Sequence, residues 1–375
     1  MMEIKDELNS IPVKTYRWLN VNHLKIDEVI NKAKKPYNKK YLGDIDDENI
    51  SIGTINNIVS INQHLNRINN EKCEYGVSKK MVELAENSHN AGIYAYIKRG
   101  ANIEKPIRIK YGMDKENDLV IDNNVIVASE NSKATIVIDY YTLDDVDAFH
   151  NGALKIYAMP GASVTVIKIQ RMNDYSNHFD SNLAIVEPGA EVNFIQVEFG
   201  SKRSVTNYIS NIKEEGKASI DSIYLGDKDR ELDLSYYMNH IGRRSISNIE
   251  TKGALKDRAR KLFKGTIDFK LGSSQSVGKE EESVILLDNT VVSKQVPLLL
   301  CTEDDVVGEH AASSGKVDED KLFYMMSRGF SKREALKALV EASFNPIIDK
   351  IPMEDVKNII KDELARKLVM EDRKW

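Results

Sequence analysis

In Gly161-Ala162-Ser163-Val164-Thr165-Val166, a corner of small residues leads directly into an alternating strand. The same pattern recurs around Ala134, Ala190 and Ala218, and with Ala162 these alanines are spaced 28 residues apart. Alternation of apolar and polar residues indicates a strand. A β-sandwich also contains many short strands, but nothing in it requires a constant period. The repeat therefore predicts a mainly β protein built as a stacked β-solenoid, whose rungs share one continuous core.

Outward from this repeat, the spacing of apolar residues divides the chain into three regions. Residues 1–92 are polar, with apolar residues at helical spacing in 26–33 and 79–85, and we predict a helical N-terminal region there. Alternation begins at Ile93 and predicts a β-helix core over residues 93–316. Residues 317–375 are predicted to be a C-terminal helical region. The helical segments are expected to cover the open ends of the solenoid, since an exposed terminal rung offers unpaired backbone.

Helix boundaries are clearest in the C-terminal region. Asp318 is a candidate N-cap of a first helix, which Arg328-Gly329 would end. Ser331 and Glu334 have the spacing of a capping box that opens a second helix. After Pro352, an apolar stripe at helical spacing predicts a third helix. The stripe consists of Val356, Ile359, Ile360, Leu364 and Leu368.

Composition limits the functional classes. The 375 residues carry a net charge of −5, which gives no reason to expect nucleic acid as a partner. No apolar run is long enough to cross a membrane, and the N-terminus lacks a secretory signal pattern. Two cysteines, Cys73 and Cys301, cannot form a disulfide framework or a four-cysteine metal site. We therefore expect a cytoplasmic protein.

The sequence also lacks the common catalytic motifs. It has no G-x-x-x-x-G-K-[ST] phosphate loop, no G-x-S-x-G elbow and no H-E-x-x-H pair. We expect a non-catalytic chain, so any ATP hydrolysis would belong to a partner.

The junction between the β-rich and helical regions carries an ordered set of motifs. These are Asp304-Asp305-Val306, His310-Ala311, Gly315, the run to Tyr324, and Ser327-Arg328-Gly329. The set resembles the C-terminal core of the SufB/SufD family, the scaffold proteins of the Suf iron–sulfur cluster assembly system. The resemblance implies a right-handed parallel β-helix flanked by helical regions. It also implies a SufD-like scaffold that docks a SufC-type ATPase and pairs with a SufB-type subunit or with itself.

His310 is the main candidate site residue, because a neutral imidazole can ligate iron or zinc. The resemblance implies that His310 takes part in cluster assembly at a subunit interface, with no stably bound cofactor. From their own chemistry, Glu309 and Cys301 are candidates for transient iron–sulfur contacts beside it, the first as an oxygen ligand and the second as a thiolate. By itself, a cysteine in a run such as Leu298-Leu299-Leu300-Cys301 is usually a small buried apolar residue. Thr290 stands where SufB proteins carry a sulfur-accepting cysteine, which argues against that role here.

The resemblance further places ATPase docking in residues 318–344. An apolar stripe on such helices is otherwise most often part of a core, although exposed apolar patches usually bind partners. The predicted partner-binding residues are Leu322, Phe323, Tyr324, Met326, Arg328, Leu336, Leu339 and Phe344.

Three alternatives remain open at this point. Glu309 beside His310 leans toward a divergent SufB-like scaffold acting as a homodimer. A carbohydrate-active β-helix enzyme would need clustered acids with cationic partners, and the acid pairs Asp144-Asp145 and Asp304-Asp305 have none evident in the sequence. A structural adhesin would normally carry a secretory signal. His150 and His178 are predicted to lie on polar turns between rungs.

Overall fold

The computed structural model describes residues 2–15, 17–30, 35–55 and 74–368. Within them the chain forms a parallel β-solenoid of two facing sheets, which confirms the predicted fold class. The first sheet contains β3 (Ile50–Thr54), β4 (Ile93–Ile97), β6 (Leu119–Ala128), β8 (Phe149–Ala158), β10 (Asn177–Val186), β12 (Arg203–Ile212), β14 (Glu231–His240), β16 (Arg260–Phe269) and β18 (Val292–Cys301). The second contains β5 (Ile107–Met113), β7 (Lys133–Thr142), β9 (Ser163–Arg171), β11 (Glu191–Glu198), β13 (Lys217–Gly226), β15 (Ile246–Leu255), β17 (Ser276–Leu286) and β19 (Val306–Lys316).

The remaining elements flank the two sheets. Strands β1 (Met2–Leu8) and β2 (Leu24–Ile30) form a separate antiparallel pair, with a 3₁₀ turn at Arg17–Leu19 between them. The helices are α1 (Lys79–Ser88), α2 (Glu319–Ser327), α3 (Lys332–Ile348) and α4 (Glu354–Leu368). The division into three regions at 92 and 316 stays a prediction.

The corners explain the repeat seen in the sequence. Gly161 and Gly189 adopt φ of 72° and 68°, a left-handed conformation that glycine reaches without steric penalty. The alanines that follow, Ala162 and Ala190, are fully buried under the corner. The small-residue signal therefore marks the turns of the solenoid.

The constant period, however, is not the strand register. Lys133 pairs with Ser163, Ser163 with Glu191, and Glu191 with Lys217, so successive rungs are 30, 28 and 26 residues long. Ala134 consequently pairs with Val164 and not with Ala162. Turns absorb the length differences while the ladder stays continuous.

The predicted helix at 26–33 is wrong over its described residues, because Leu24–Ile30 is strand β2. Ile26 is buried among Leu8, Met81 and Phe149, while Lys25 and Asp27 face away. A short apolar run fits both the helical and the strand period, and pairing with β1 decided between them. The helix predicted at Lys79–Ala85 is present as α1. Cys73 and residues 31–34 lie outside the described residues.

Flanking segments cover the faces of the solenoid. Helices α3 and α4 pack on the outer face of the second sheet, where Ile167, Val197 and Ile223 would otherwise be exposed. On the outer face of the first sheet, β1, β2 and α1 cover Phe149 and Phe179. The expectation that the C-terminal helices cap an open end is therefore wrong for α3 and α4, because they pack on the apolar outer face of the second sheet.

The two ends of the solenoid differ. At the first end, β3 pairs antiparallel with β4 and so terminates the first sheet with a reversed strand. At the other end, β18 and β19 are the last strands of their sheets in the described chain. This last rung is where the candidate site lies.

Candidate functional site at the last rung

The last rung exposes its inner face as well as its edge. In β17, alternate residues from Ser276 to Val284 are buried inside the solenoid. Their register partners in β19, from Val306 to Ser314, have no further rung above them in the described chain and are mostly exposed. A surface that is core in every earlier rung is thus open here, and two strand edges lie beside it.

His310 lies on this open inner face. It pairs in register with Glu280, whose side chain is buried in the rung below. Leu299 of β18 packs against Gly308, so His310, two residues further along β19, lies across from Pro297. Proline has no backbone N–H to donate and is tolerated on an edge strand such as β18. The imidazole is exposed and accessible to a ligand or a second chain.

Glu309 points the other way. Strand alternation puts it on the outer face, where its carboxylate lies 3.0 Å from Lys279 Nζ of β17. Both side chains are more than half exposed, so this ion pair contributes little to stability. The geometry places Glu309 beside Lys279 and away from the His310 ring.

Cys301 is exposed at the far end of β18, and its Sγ donates to the Glu303 carbonyl at 2.9 Å. It is not the buried apolar residue that its surroundings in the sequence suggested. It lies across from the start of β19 at Val306, four residues before His310, which is about 13 Å along a strand. The structure does not bring Cys301 and His310 together. In the described chain, no three His, Cys, Asp or Glu side chains are placed to enclose a metal ion.

The inner face of β17 carries two glutamates that the sequence reasoning missed. Glu282 is buried with Lys261 Nζ 2.8 Å away, and it accepts a hydrogen bond from Tyr224 Oη. Glu280, two residues earlier, is equally buried, and burial raises its pKa to about 8. The run Lys279-Glu280-Glu281-Glu282 reads as a solvated charged segment, but period-two alternation puts every second residue inside.

Thr290 lies in the turn before β18. It is exposed, and its hydroxyl donates to the Asp257 carbonyl. The neighbouring Asp288 accepts from the Asp257 backbone N–H at 2.6 Å. Thr290 therefore holds the turn together and offers no thiol.

Helix α2 presents the second candidate surface. Asp318 caps it by accepting from the N–H groups of Asp320 and Lys321, and Gly329 follows it at φ 101°. None of its residues is buried, and Phe323 is 74% exposed. A helix this short is marginal in water without packing. An exposed apolar face of this kind is typical of a partner-binding surface.

Two of the predicted partner-binding residues belong to the core. Phe344 is fully buried in α3, and Leu336 is also buried. α3 opens with the predicted capping box of Ser331 and Glu334. The exposed members of the predicted set are Phe323, Tyr324, Met326 and Arg328, with the Arg328 guanidinium over the Tyr324 ring.

His150 and His178 lie on strands inside the solenoid and not on turns, so that prediction is wrong. Their rings stack 4.5 Å apart, and the two Nδ1 atoms are 2.8 Å apart. Asp122 bonds to His150 Nε2 at 2.5 Å, which orients the first ring. Burial lowers the pKa of His178 well below its usual value. Both histidines lie near the start of a strand, directly after a polar turn. The sequence therefore did not reveal the alternation that points their rings inward.

The two acid pairs considered for a carbohydrate-active enzyme lie in separate turns of the described chain. Asp304 and Asp305 are exposed in the turn before β19, and Asp305 accepts from Ser274 Oγ at 2.9 Å. Asp144 and Asp145 lie in another turn, between β7 and β8. The described helices include none long and apolar enough to span a membrane.

Fold and site together define a class: a β-solenoid scaffold with an open last rung and an exposed apolar helix beside it. The SUF system FeS cluster assembly, SufBD core domain matches residues 111–343, which is more than half of the chain. The chain therefore belongs to the SufB/SufD family, as a SufD-like member.

Individual relatives agree with this placement. The iron–sulfur cluster assembly protein SufD of Bacillus subtilis is 26% identical over 293 residues, covering 77% of this chain and 67% of that protein. SufB of the same organism is 24% identical, covering 76% of this chain and 62% of that protein. A SufBD family protein of Mycobacterium leprae is 26% identical, covering 71% of this chain and 31% of that protein. The chain thus spans about two thirds of the Bacillus proteins and about a third of the mycobacterial one.

Proposed function

We propose that this chain is a SufD-like scaffold subunit of a SufBCD-type iron–sulfur cluster assembly complex. It pairs with a SufB-type subunit through its last rung and docks a SufC-type ATPase through α2. The observation that carries the proposal is the open last rung, which presents two strand edges and His310 in a member of an iron–sulfur assembly family. The cytoplasmic location and the absence of catalysis in this chain are parts of the same proposal.

The unpaired backbone groups of the last rung support pairing with a second chain. The edges of β18 and β19 offer hydrogen-bonding groups that a second solenoid end can complete by strand addition. Val307 and Leu299 add exposed apolar surface at the same place. A second chain would bury that surface and enclose His310 at the junction, where iron and sulfide are the substrates.

The exposed surface of α2 supports docking of the ATPase there. The exposed side chains of Phe323, Tyr324 and Met326 are apolar or aromatic, and such residues dominate binding energy at protein interfaces. The helix adjoins β19 through residues 317–318 only, so a partner that moves α2 acts directly on the last rung. An ATPase bound there would couple its motion to the pairing edge.

Co-expression with a SufC-type ATPase and a SufB-type protein, followed by affinity purification and native mass spectrometry, tests the proposal. The wild-type chain should bring down both partners. The double variant Leu322→Asp/Phe323→Asp should lose the ATPase and keep the SufB-type subunit. Leu143→Asp is the matched control, because Leu143 is an exposed leucine on a turn between β7 and β8.

The possible results of this experiment distinguish the proposed function from its alternatives. A complex with no ATPase loss in the double variant would contradict docking through α2. A stable homodimer that ignores the SufB-type subunit would favour the homodimeric SufB-like alternative. A folded chain that binds neither partner, with an unchanged circular dichroism spectrum, would overturn the proposal.

A further inference from the structure

Glu280 is a buried carboxylate with no hydrogen-bond partner among the described residues. Its side chain is 3% exposed, and neither Oε1 nor Oε2 has a donor within reach. Buried carboxylates are ordinarily paired with a cation, hydrogen-bonded, or bound to a metal ion. Glu280 thus occupies a position that folding alone does not favour for an acid.

The neighbouring Glu282 shows what a structural acid looks like in the same strand. It lies on the same inner face, bonded to Lys261 Nζ and Tyr224 Oη. Packing could therefore have supplied partners for an acid at this level of the solenoid. Glu280, two residues earlier in β17, has no such partner among the described residues.

The structure makes room for the Glu280 side chain from the opposite sheet. Gly265 of β16 lies across from it, and a Cβ at Gly265 would stand 2.1 Å from Glu280 Oε1. Any residue other than glycine there would displace the carboxylate. In the last rung, the register partner of Gly265 is Pro297 of β18, which lies across from His310.

Glu280 and His310 are register partners on the inner face of adjacent parallel strands. Adjacent strands are about 4.8 Å apart, so two such side chains can reach one small ligand. His310 is open to solvent above, while Glu280 is closed in below. The two side chains thus lie on the same inner face, one covered within the solenoid and the other at its open end.

We propose that Glu280 is a second donor, beside His310, to a divalent transition-metal ion at the last rung, with Fe²⁺ as the natural cation. This inference rests on the proposed function, because it specifies how this chain would hold the iron substrate. Carboxylate and imidazole together suit first-row divalent ions such as Fe²⁺ and Co²⁺. Two protein donors leave coordination positions for sulfide, water or groups from the paired chain.

Co²⁺ is the experimental substitute, since it binds similar donors and absorbs visible light. The titration is followed by absorption and calorimetry without oxygen, on the chain alone and on its co-purified complex. Glu280→Gln and His310→Ala should each weaken Co²⁺ binding by at least about tenfold. Glu281→Gln should bind as the wild type does, because Glu281 is exposed and paired with Lys252 on the outer face.

Folding must be separated from binding. Glutamine has the shape of glutamate, so Glu280→Gln should keep or raise the unfolding midpoint while metal binding falls. A purely structural Glu280 would give the reverse pattern. Co²⁺ binding that depends on His310 but is unchanged in Glu280→Gln would overturn the inference and leave the proposed function standing. The absence of Glu280-dependent binding in a recovered complex would overturn it equally.

Discussion

Phe344 of α3 stacks on Phe199, the residue after β11, with ring centroids 6.1 Å apart and planes inclined by 19°. Both rings are fully buried between the helices and the second sheet. This contact fixes α3 to the middle of the solenoid, whereas α2 contacts α3 but has no buried residue.

Replacing Phe344 by alanine should therefore destabilise the protein. Removal of a buried phenylalanine typically lowers the free energy of unfolding by about 3–5 kcal/mol. Phe323→Ala removes the same group from an exposed position and should change it by less than about 0.5 kcal/mol. Urea unfolding of both variants measures the difference, and equal losses would contradict the assigned burial.

The ion pair between Asp233 and Lys264 predicts a strongly coupled double-mutant cycle. Both side chains are almost fully buried, 2.8 Å apart, under Asn9, whose amide donates to Asp233 Oδ1. Lys264→Met leaves a buried carboxylate uncompensated and should cost about 3–5 kcal/mol. The double variant Lys264→Met/Asp233→Leu should recover much of that loss in the same unfolding assay. Additive losses would show that the two groups do not interact.

His240 predicts a loss of stability on acidification. Burial lowers its pKa to about 4, and its two ring nitrogens bond to the hydroxyls of Ser245 and Ser247. Its unfolded pKa is about 6.5, so between these values the unfolded chain binds more protons. Stability is therefore full above about pH 6.5 and falls by roughly 1.4 kcal/mol per unit toward pH 4.

The variant His240→Gln removes this dependence. Between pH 7 and 4.5 it should lose roughly 2–3 kcal/mol less than the wild type, measured by urea unfolding at each pH. Parallel pH profiles for the two proteins would contradict the buried neutral imidazole.

The buried Glu198 should give the opposite pH dependence of stability. Burial raises its pKa to about 8, although Ser204 and Gln170 donate hydrogen bonds to its carboxylate. The folded chain keeps a proton that the unfolded chain releases above about pH 4.5, so stability declines as pH rises toward 8. Glu198→Gln should therefore gain on the wild type by roughly 3–4 kcal/mol between pH 5 and 8. A constant difference between the two proteins across that range would refute the raised pKa.

The sequence predicted the solenoid because corner residues and alternation are local signals. The pair Gly161-Ala162 followed by the alternating Val164 and Val166 indicates a turn that leads into a strand. Register is not local: the lengths of successive turns set it, so Ala134 pairs with Val164 despite the spacing of 28. The capping box at Ser331 was predictable for the same local reason.

Other features depend on what lies across the fold. The stretch around Ile26 is a strand because β1 pairs with it, and nothing within the stretch reveals that partner. Phe344 and Phe323 look alike in the sequence, but only the apolar outer face of β11 and β13 separates core from surface. Glu280 was missed because a run of acids normally indicates solvent, whereas its place inside depends on the pairing of β17.

Hydrogen–deuterium exchange across Val306–Lys316 tests whether the edge of β19 is a pairing surface. Exchange is compared for the chain alone and for the chain with a SufB-type subunit, with β9 inside the solenoid as the internal reference. We expect the β19 amides to exchange rapidly in the free chain and to become protected in the complex, while β9 stays protected in both. Unchanged exchange in β19 on forming a stable complex would contradict pairing through the last rung.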